Sequence, residues 1–381
     1  MRHAITPIIS SLALLLSAST FADTTDAQIA TILRVDKEGA GHAAAVPALS
    51  ALSQQRADAL LPILTAMNQA NPRAANWLRG AFDAIADRTT KAGNNLDQPA
   101  LEKFTRDHAH SPQARQLAFD WLQKIDPTAA DRLVPGMTDD PCSEFRRLAV
   151  ARVIETANKA RDAKDPDGSK TLYQEAFQAA LDLDQLDAAF DELVKLGEKP
   201  DLKRQLGMLT AWWLIGPFDH RKGIGFDTAY PPEMEVDLDK TYPGLAGDVA
   251  WTQQETDDRH GVFDINKLLG RHKGAVVYAF CTFESDRERP VEVRLGTPNG
   301  WKLWVNGKLL FAHEEYHLMN RMDQYRVPVT LQKGTNRLLF KICQNEQTED
   351  WAQEWQIQPR ICTASGAGVQ PTTNDQPTAN Q

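Results

Sequence analysis

Cysteine is scarce in this chain, with four in 381 residues. That excludes a disulfide scaffold, in which closely spaced bridges take the place of a large core. Long apolar runs are nearly missing too. The one stretch of note, Ile8 to Ala18, is about half of the ~20 residues that a membrane span needs. Glycine (22) and proline (21) stand at ordinary levels, which excludes collagen-like or linker-dominated sequence. Basic residues are outnumbered, 42 Lys plus Arg against 51 Asp plus Glu, for a formal charge of −9. Phosphate binding needs a basic field, so nucleic acid is not expected as a partner. There is also no G-x-S-x-G elbow, no P-loop, no G-x-G-x-x-G after a strand and no Cys-x-x-Cys.

What is present fits ordinary globular protein: 42% hydrophobic and 24% charged residues, enough length for two cored domains. The first 22 residues read as a secretory leader. Arg2 supplies a positive start, Ile8 to Ala18 an apolar segment, and Thr20-Phe21-Ala22 a small-residue cleavage site. Cleavage after Ala22 is expected, giving an exported protein, periplasmic or secreted, with a formal charge of −10 once Arg2 is removed. No Cys follows the apolar segment to carry a lipid, and no membrane span is expected in the mature protein.

Residues 23–206 have the pattern of an α-helical repeat domain. Apolar residues recur at three and four, as in Leu60, Leu61, Leu64 and Met67, or Ala176, Phe177 and Ala180. Asn71-Pro72, Ser111-Pro112, Asp126-Pro127 and Asp140-Pro141 each place a capping residue before a proline, a helix-start signal. Arg115-Gln116-Leu117-Ala118 returns 31 positions later as Arg146-Arg147-Leu148-Ala149. Such a period suggests stacked helical repeats, with an irregular helical bundle as the alternative.

Residues 207–362 change character. Seven of the nine tryptophans lie here, and short runs with strand composition follow one another: Trp212–Ile215, Val276–Phe283, Val291–Leu295, Lys302–Val305, Lys308–Ala312, Arg326–Leu331, Asn336–Cys343 and Glu354–Ile361. Many short strands at close spacing predict an antiparallel β-sandwich or jelly roll. Asn306-Gly307 between two of them is a hairpin signal, because a type I′ turn needs positive φ at both central residues. The fold class is therefore multidomain, α then β. Residues 363–381 are rich in Ser, Gly, Thr, Asn, Pro and Gln, and a disordered tail is expected there. Export permits disulfides. Cys343 and Cys362 flank a hairpin too far from its turn to bridge, which leaves Cys281–Cys343 as the candidate pair, against four buried free thiols.

Several segments carry a resemblance. Trp213-Leu214-Ile215-Gly216-Pro217-Phe218-Asp219, Gly225-Phe226-Asp227 through Tyr230-Pro231-Pro232-Glu233, Trp304-Val305-Asn306-Gly307-Lys308, and Leu331 through Lys341 resemble the galactose-binding-like jelly-roll modules of exported bacterial proteins. These are similar in fold to the sugar-binding domain of glycoside hydrolase family 2 and to PA14-like modules. Residues before them resemble HEAT-type repeats followed by a tetratricopeptide-like pair, Leu172 to Leu181 and Leu186 to Leu196. The resemblance implies a binding module and a helical half for protein contacts or spacing. PA14-like modules often carry an acidic pair for calcium where this chain has Gly296-Thr297-Pro298-Asn299-Gly300. Pro and Asn supply no hard-ligand charge, so calcium is not expected by that route.

If the ligand is carbohydrate, including a cell-envelope glycan, Trp supplies the flat apolar face that sugar C–H groups need. The candidates are Trp301, Trp304, Trp351 and Trp355, with Asn306 as a hydrogen-bonding side chain. Alternation puts Trp301, Leu303 and Val305 on one side of their strand, and Lys302, Trp304 and Asn306 on the other. Against this stands a metal reading. His313-Glu314-Glu315-Tyr316-His317 matches H-E-x-x-H, in which two His on one helix face hold zinc and the Glu polarises water. The motif follows a strand rather than lying in a long helix, and a third ligand would have to be Glu346 or Glu349 in a loop. The leading expectation is a non-enzymatic binding protein without a cofactor. The alternatives are an assembly protein with no glycan ligand, and a zinc hydrolase using His313, Glu314 and His317.

Overall fold

A computed structural model describes residues 24–372. The leader, with its expected cleavage after Ala22, lies outside the described residues, as do residues 373–381. The chain is helical first and sheet-forming afterwards. The helices are α1 (residues 24–32), α2 (His42–Ser53), α3 (Leu60–Ala66), α4 (Pro72–Lys91), α5 (Gln98–Arg106), α6 (Pro112–Ile125), α7 (Ala129–Leu133), α8 (Ser143–Asp162), α9 (Pro166–Ala179), α10 (Leu183–Lys195) and α11 (Leu202–Leu206). Compact units divide after Arg152, inside α8, so α9 to α11 belong with the sheets. The change from helix to strand falls where composition puts it, between Leu206 and Ala211.

Two of the expected helix starts form as read. The Asn71 side chain accepts from the N–H groups of Arg73 and Ala74, and Ser111 accepts from Ala114, each with proline in the first turn. A cap of this kind stabilises by about 1 kcal/mol. Asp126 and Asp140 act differently. Each accepts a backbone N–H two residues on, from Thr128 and Cys142, and the helix begins just after. The buried face of α4, comprising Ala74, Leu78, Ala81, Phe82, Ile85 and Ala86, keeps the three-and-four spacing. Buried Leu and Phe contribute ~1.5–3 kcal/mol each.

The strands are β1 (Ala211–Asp219), β2 (Thr241–Pro243), β3 (Asp248–Ala250), β4 (Thr252–Glu255), β5 (Phe263–Asp264), β6 (Ala275–Ser285), β7 (Arg289–Gly296), β8 (Gly300–Val305), β9 (Lys308–His313), β10 (Tyr325–Leu331), β11 (Gly334–Gln344) and β12 (Gln356–Cys362). Two antiparallel sheets, ordered β4-β1-β6-β11-β8-β9 and β10-β7-β12-β5, share one core; β2 and β3 pair separately. That core takes Leu338, Phe340 and Ile342 from β11, as alternation predicts, and Val291, Val293 and Leu295 from β7. Asn306 and Gly307 join β8 to β9 with φ of 50° and 79°, the expected positive pair. Gly216-Pro217 does not end its strand. β1 runs through it with a register shift between Ile215 and Phe218, where a Cβ on Gly216 would come within 2.7 Å of the Val276 carbonyl oxygen.

Two expectations need correction. The tail is ordered as far as residue 372: Cys362 bridges to Gly368, Val369 is buried in the core, and Arg360 donates to the Gly366 carbonyl. Composition missed this because backbone pairing and one apolar side chain suffice to hold a polar segment. The Cys281–Cys343 disulfide does not form; all four cysteines are free and buried. β6 and β11 are neighbours, but Cys281 opposes Leu338, roughly 17 Å along the ladder from Cys343. Cys281 also faces the shared core while Cys343 faces the outer side of the sheet. The loop at residues 257–260 is held as well. Arg259 pairs with Asp187 (2.7 Å) and Asp191 (2.9 Å) and lies 4.5 Å from the Phe190 ring centre, tying this loop to α10.

Candidate functional site

The outer face of the six-stranded sheet is covered, not open. Ile215, Phe218, Val276, Tyr278, Phe280, Trp304, Leu339 and Cys343 form a second apolar layer, against which Tyr230, Val236, Leu238, Tyr242 and Val249 pack. Segment 220–250 thus lies over the sheet as a strap. It is fastened by Lys341, whose fully buried ammonium donates to the carbonyls of Phe226 (2.9 Å) and Thr228 (2.8 Å) and to Glu233 (2.7 Å). Burial pushes the Lys341 ammonium below its usual range, and the Glu233 carboxylate opposes that shift. The Tyr278 hydroxyl also donates to Glu233. The Gly-Phe-Asp and Tyr-Pro-Pro-Glu segments therefore build a lid on the sheet.

That layer decides most of the tryptophan candidates. Trp301 is 0% exposed, stacked between Phe311 (4.6 Å) and Phe340 (6.1 Å) in the shared core. Trp355 is also 0% exposed. Trp304, on the opposite side of β8 as alternation requires, is 8% exposed beneath the strap. These three are core residues and present no face to a ligand. Trp351 differs, at 62% exposed.

Trp351 stands at one end of the sheets. Register puts Asp219, Ala275, Gln344, Gly300 and His313 together there, since Asp219 and Gln344 both oppose Ala275, Cys343 opposes Gly300, and Trp301 opposes His313. The loops leaving these positions converge. His220 N–H donates to the Gly274 carbonyl (2.7 Å), Gly274 N–H to Asn345 (2.9 Å), and Lys222 N–H to the Glu346 carboxylate (2.7 Å). Lys273 donates to the Ala352 carbonyl (2.6 Å). Below them lies buried Thr297-Pro298-Asn299, where Asn299 donates to Gln344 and the Glu354 carbonyl and accepts from Gln356 N–H. Trp351 lies in a short 3-10 turn, Asp350–Ala352, whose Ala352 is buried. The Gln353 side chain donates to the carbonyls of Thr348 and Glu349 and closes that turn.

His317 borders the indole, with ring centres 5.2 Å apart and planes at 86°. Its Nε2 donates to Asn345 Oδ1 (2.8 Å), which is fixed in turn by Gln347 N–H. Asn306 does not join this group. It sits at the β8–β9 turn, the other end of a six-residue strand roughly 20 Å long. There it donates to Asn336 (3.0 Å) and accepts from Arg337 N–H (2.8 Å), which fixes the turn.

H-E-x-x-H takes no helical form here. His313 ends β9 and meets Glu315 (3.0 Å) with its ring beside Tyr325 (5.1 Å), whereas His317 has φ of 62° and faces Trp351. Glu314 accepts from the Tyr316 hydroxyl (3.3 Å). The zinc geometry, two imidazoles one turn apart on a helix, is therefore not made by His313, Glu314 and His317. Among the described residues no group of three His, Cys, Asp or Glu could hold a metal ion.

Sequence reading passed over His220 and Tyr316. His220 is buried, and its Nε2 meets the Tyr316 hydroxyl at 2.7 Å while Nδ1 has no partner. Tyr316 Oη donates to Glu314, so it accepts from Nε2. Burial, helped by Lys341, holds the His220 pKa below its usual value. The unfolded chain therefore takes up this proton first. The His220 contribution is complete above the ordinary imidazole value of ~6.5. It is lost as pH falls from that value through the lower folded one, by at most about 1.4 kcal/mol per pH unit for one proton. Thermal unfolding followed between neutral and mildly acid pH should show this slope, and His220→Gln should flatten it. An unchanged slope in the variant would assign the acid sensitivity elsewhere.

Against models of known protein families the chain finds no match, and no curated protein matches it either.

Proposed function

We propose that this is a non-catalytic, exported binding protein whose sheet-bearing unit is a galactose-binding-like module that takes a saccharide at the loop end, on Trp351. One observation carries the reading: of the four candidate indoles, Trp351 alone offers its face to solvent. It does so on a turn braced by hydrogen bonds, beside an imidazole and amide already fixed in place. A rigid aromatic face with few rotamers to freeze, set beside polar side chains, is the arrangement that sugar C–H faces and hydroxyls use. Among the described residues no group of three His, Cys, Asp or Glu able to hold a metal ion accompanies it. The helical half supplies protein contacts or spacing through HEAT-like and tetratricopeptide-like repeats. Its surface includes a groove of about 330 Å³ lined by Met67, Pro72, Ala75, Gln113 and Glu144.

A glycan array probed with wild type and with Trp351→Ala tests the reading. The variant should lose at least about tenfold in affinity, close to 1.4 kcal/mol, with its unfolding midpoint unmoved, because the ring is already in solvent. Trp301 and Trp355 cannot serve in this test, since truncating either removes core volume. A wild-type array without signal, or a Trp351→Ala variant that binds as wild type does, would sink the proposal in favour of an assembly protein without a glycan ligand.

A further inference from the structure

We infer that His220 is a positioning residue for the Trp351 site, and that its protonation loosens the loop carrying His317 and weakens ligand binding in acid. The inference rests on the saccharide-binding reading above and adds regulation to it. His220 lies just past the end of β1, 1% exposed, and reaches the site by two routes. Through the backbone, its N–H donates to the Gly274 carbonyl and the Gly274 N–H to that of Asn345, whose Oδ1 accepts from His317. Through the side chain, Nε2 meets the Tyr316 hydroxyl at 2.7 Å, one residue before His317. His317 borders the indole, with its own N–H bound to the Pro298 carbonyl.

This arrangement suits the neutral imidazole. The ring proton that Tyr316 accepts is on Nε2, and Nδ1 is buried without a hydrogen-bond partner among the described residues. The strap closes against it at Gly225, where a Cβ would come within 2.9 Å of Nδ1. A second proton would therefore create a buried, charged N–H with nothing to receive it. The groups around the ring do not relieve that. Asp219, on β1, is held by Arg221 at 2.9 and 2.7 Å, and Glu346, beyond β11, accepts from the Lys222 N–H. Lys341, on β11, adds a like charge to the effect of burial. Tyr316, in the loop after β9, turns its own proton to Glu314 and keeps it, because burial drives that hydroxyl far above its usual range. Relief comes when the imidazole leaves its slot, which breaks the Tyr316 link and frees the chain beside the indole. The site is thus firm while His220 is neutral and loosens as pH falls below the ordinary imidazole range.

Hydrogen exchange on the full mature chain tests the coupling without a ligand. It is read by mass spectrometry at about pH 7.5 and about pH 5, with the intrinsic rates corrected. Residues 314–321 and 345–353 should exchange about tenfold faster in acid. His220→Gln keeps a donor for Tyr316 but cannot titrate, and should hold both loops protected at either pH. Tyr316→Phe should exchange at neutral pH as wild type does in acid, with no further response to acid. The glycan array, repeated at both pH values, should lose its wild-type signals in acid and keep them in His220→Gln. Loops indifferent to pH, or a Tyr316→Phe variant protected like wild type at neutral pH, would overturn the inference. So would an acid response that His220→Gln retains, which would assign it to His313 or His317 instead. An array silent at both pH values, with loops that answer to acid as described, would overturn the saccharide reading and leave the coupling standing.

Discussion

Replacing Asp323 with alanine is expected to cost the sheet-bearing unit about 3–5 kcal/mol, enough to lower its urea midpoint sharply. Arg294 on β7 and Arg360 on β12 are both buried and both depend on this carboxylate. Arg294 reaches it at 2.6 Å, and Arg360 at 2.6 and 2.5 Å. Arg360 also donates to the carbonyls of Leu206 and Gly366, and Arg294 to those of Thr363 and Ala364. The network therefore ties α11 and segment 363–366 to the four-stranded sheet. Without Asp323, two guanidiniums remain in the interior, with Glu292, on Arg294, as the one acidic partner left among the described residues. Burial alone would raise the Asp323 carboxyl, but the two guanidiniums outweigh it and hold it below its ordinary value. Its folded pKa is thus lower than its unfolded one, so the stabilisation is complete above ~3.9. It is lost as pH falls through the lower folded value. The gap between wild type and Asp323→Asn should accordingly narrow under strong acid. Urea unfolding followed by tryptophan emission suits the measurement, since seven of nine tryptophans lie after Leu206. A midpoint unmoved by Asp323→Ala would show that water or backbone carbonyls already satisfy both guanidiniums.

Much of this architecture can be read from the chain, for physical reasons that also set the limits. Strands such as β8 and β11 are legible because alternation is a local property, and Asn306-Gly307 fixes the register between β8 and β9. Alternation says which side of a strand a residue occupies, not what covers that side. Trp304 is on the side opposite Trp301, as read, yet it is buried because the distant strap lies over it. A signal for that cover was present: Leu339 and Cys343 flank Lys341 on the face of β11 that would otherwise meet water. Three such residues in alternation imply a second layer, and a lysine among them implies an acidic partner in that layer. Glu233 is that partner, 108 residues away in the sequence.

The H-E-x-x-H motif misled for the converse reason. Its meaning depends on a helix, and β9 extends through His313 before the chain turns to bring Tyr316 over Gly300, where a Cβ would meet the phenol ring at 3.0 Å. Trp351 was named among four equivalent candidates. Only long-range packing, which buries Trp301, Trp304 and Trp355 and leaves Trp351 in solvent, separates it from the others.

In the helical unit, Asp140→Ala should be as damaging as Asp323→Ala, at about 3–5 kcal/mol. Asp140 precedes Pro141 at the entrance to α8, and Arg115 comes from the first turn of α6; both are buried. The pair is bidentate, Nη1 to Oδ1 at 2.8 Å and Nη2 to Oδ2 at 2.6 Å, with Arg115 Nε donating to the Thr105 carbonyl. Asp140 also accepts from Cys142 N–H (2.8 Å) and meets His108 (3.1 Å), so one carboxylate joins α5, α6 and α8. Burial would raise its pKa, yet Arg115 and the Cys142 N–H keep it below the ordinary value. Truncating it isolates a guanidinium that sits among apolar side chains, 5.0 Å from the Phe145 ring centre. If that isolation is the cause, Arg115→Met added to Asp140→Ala should recover part of the loss, because a well-packed apolar replacement removes the stranded charge. Hydrogen exchange mapped onto α5, α6 and α8 would read the effect locally. Equal loss of protection in the single and double variants would mean that the cap at α8, rather than the buried charge pair, is what Asp140 supplies.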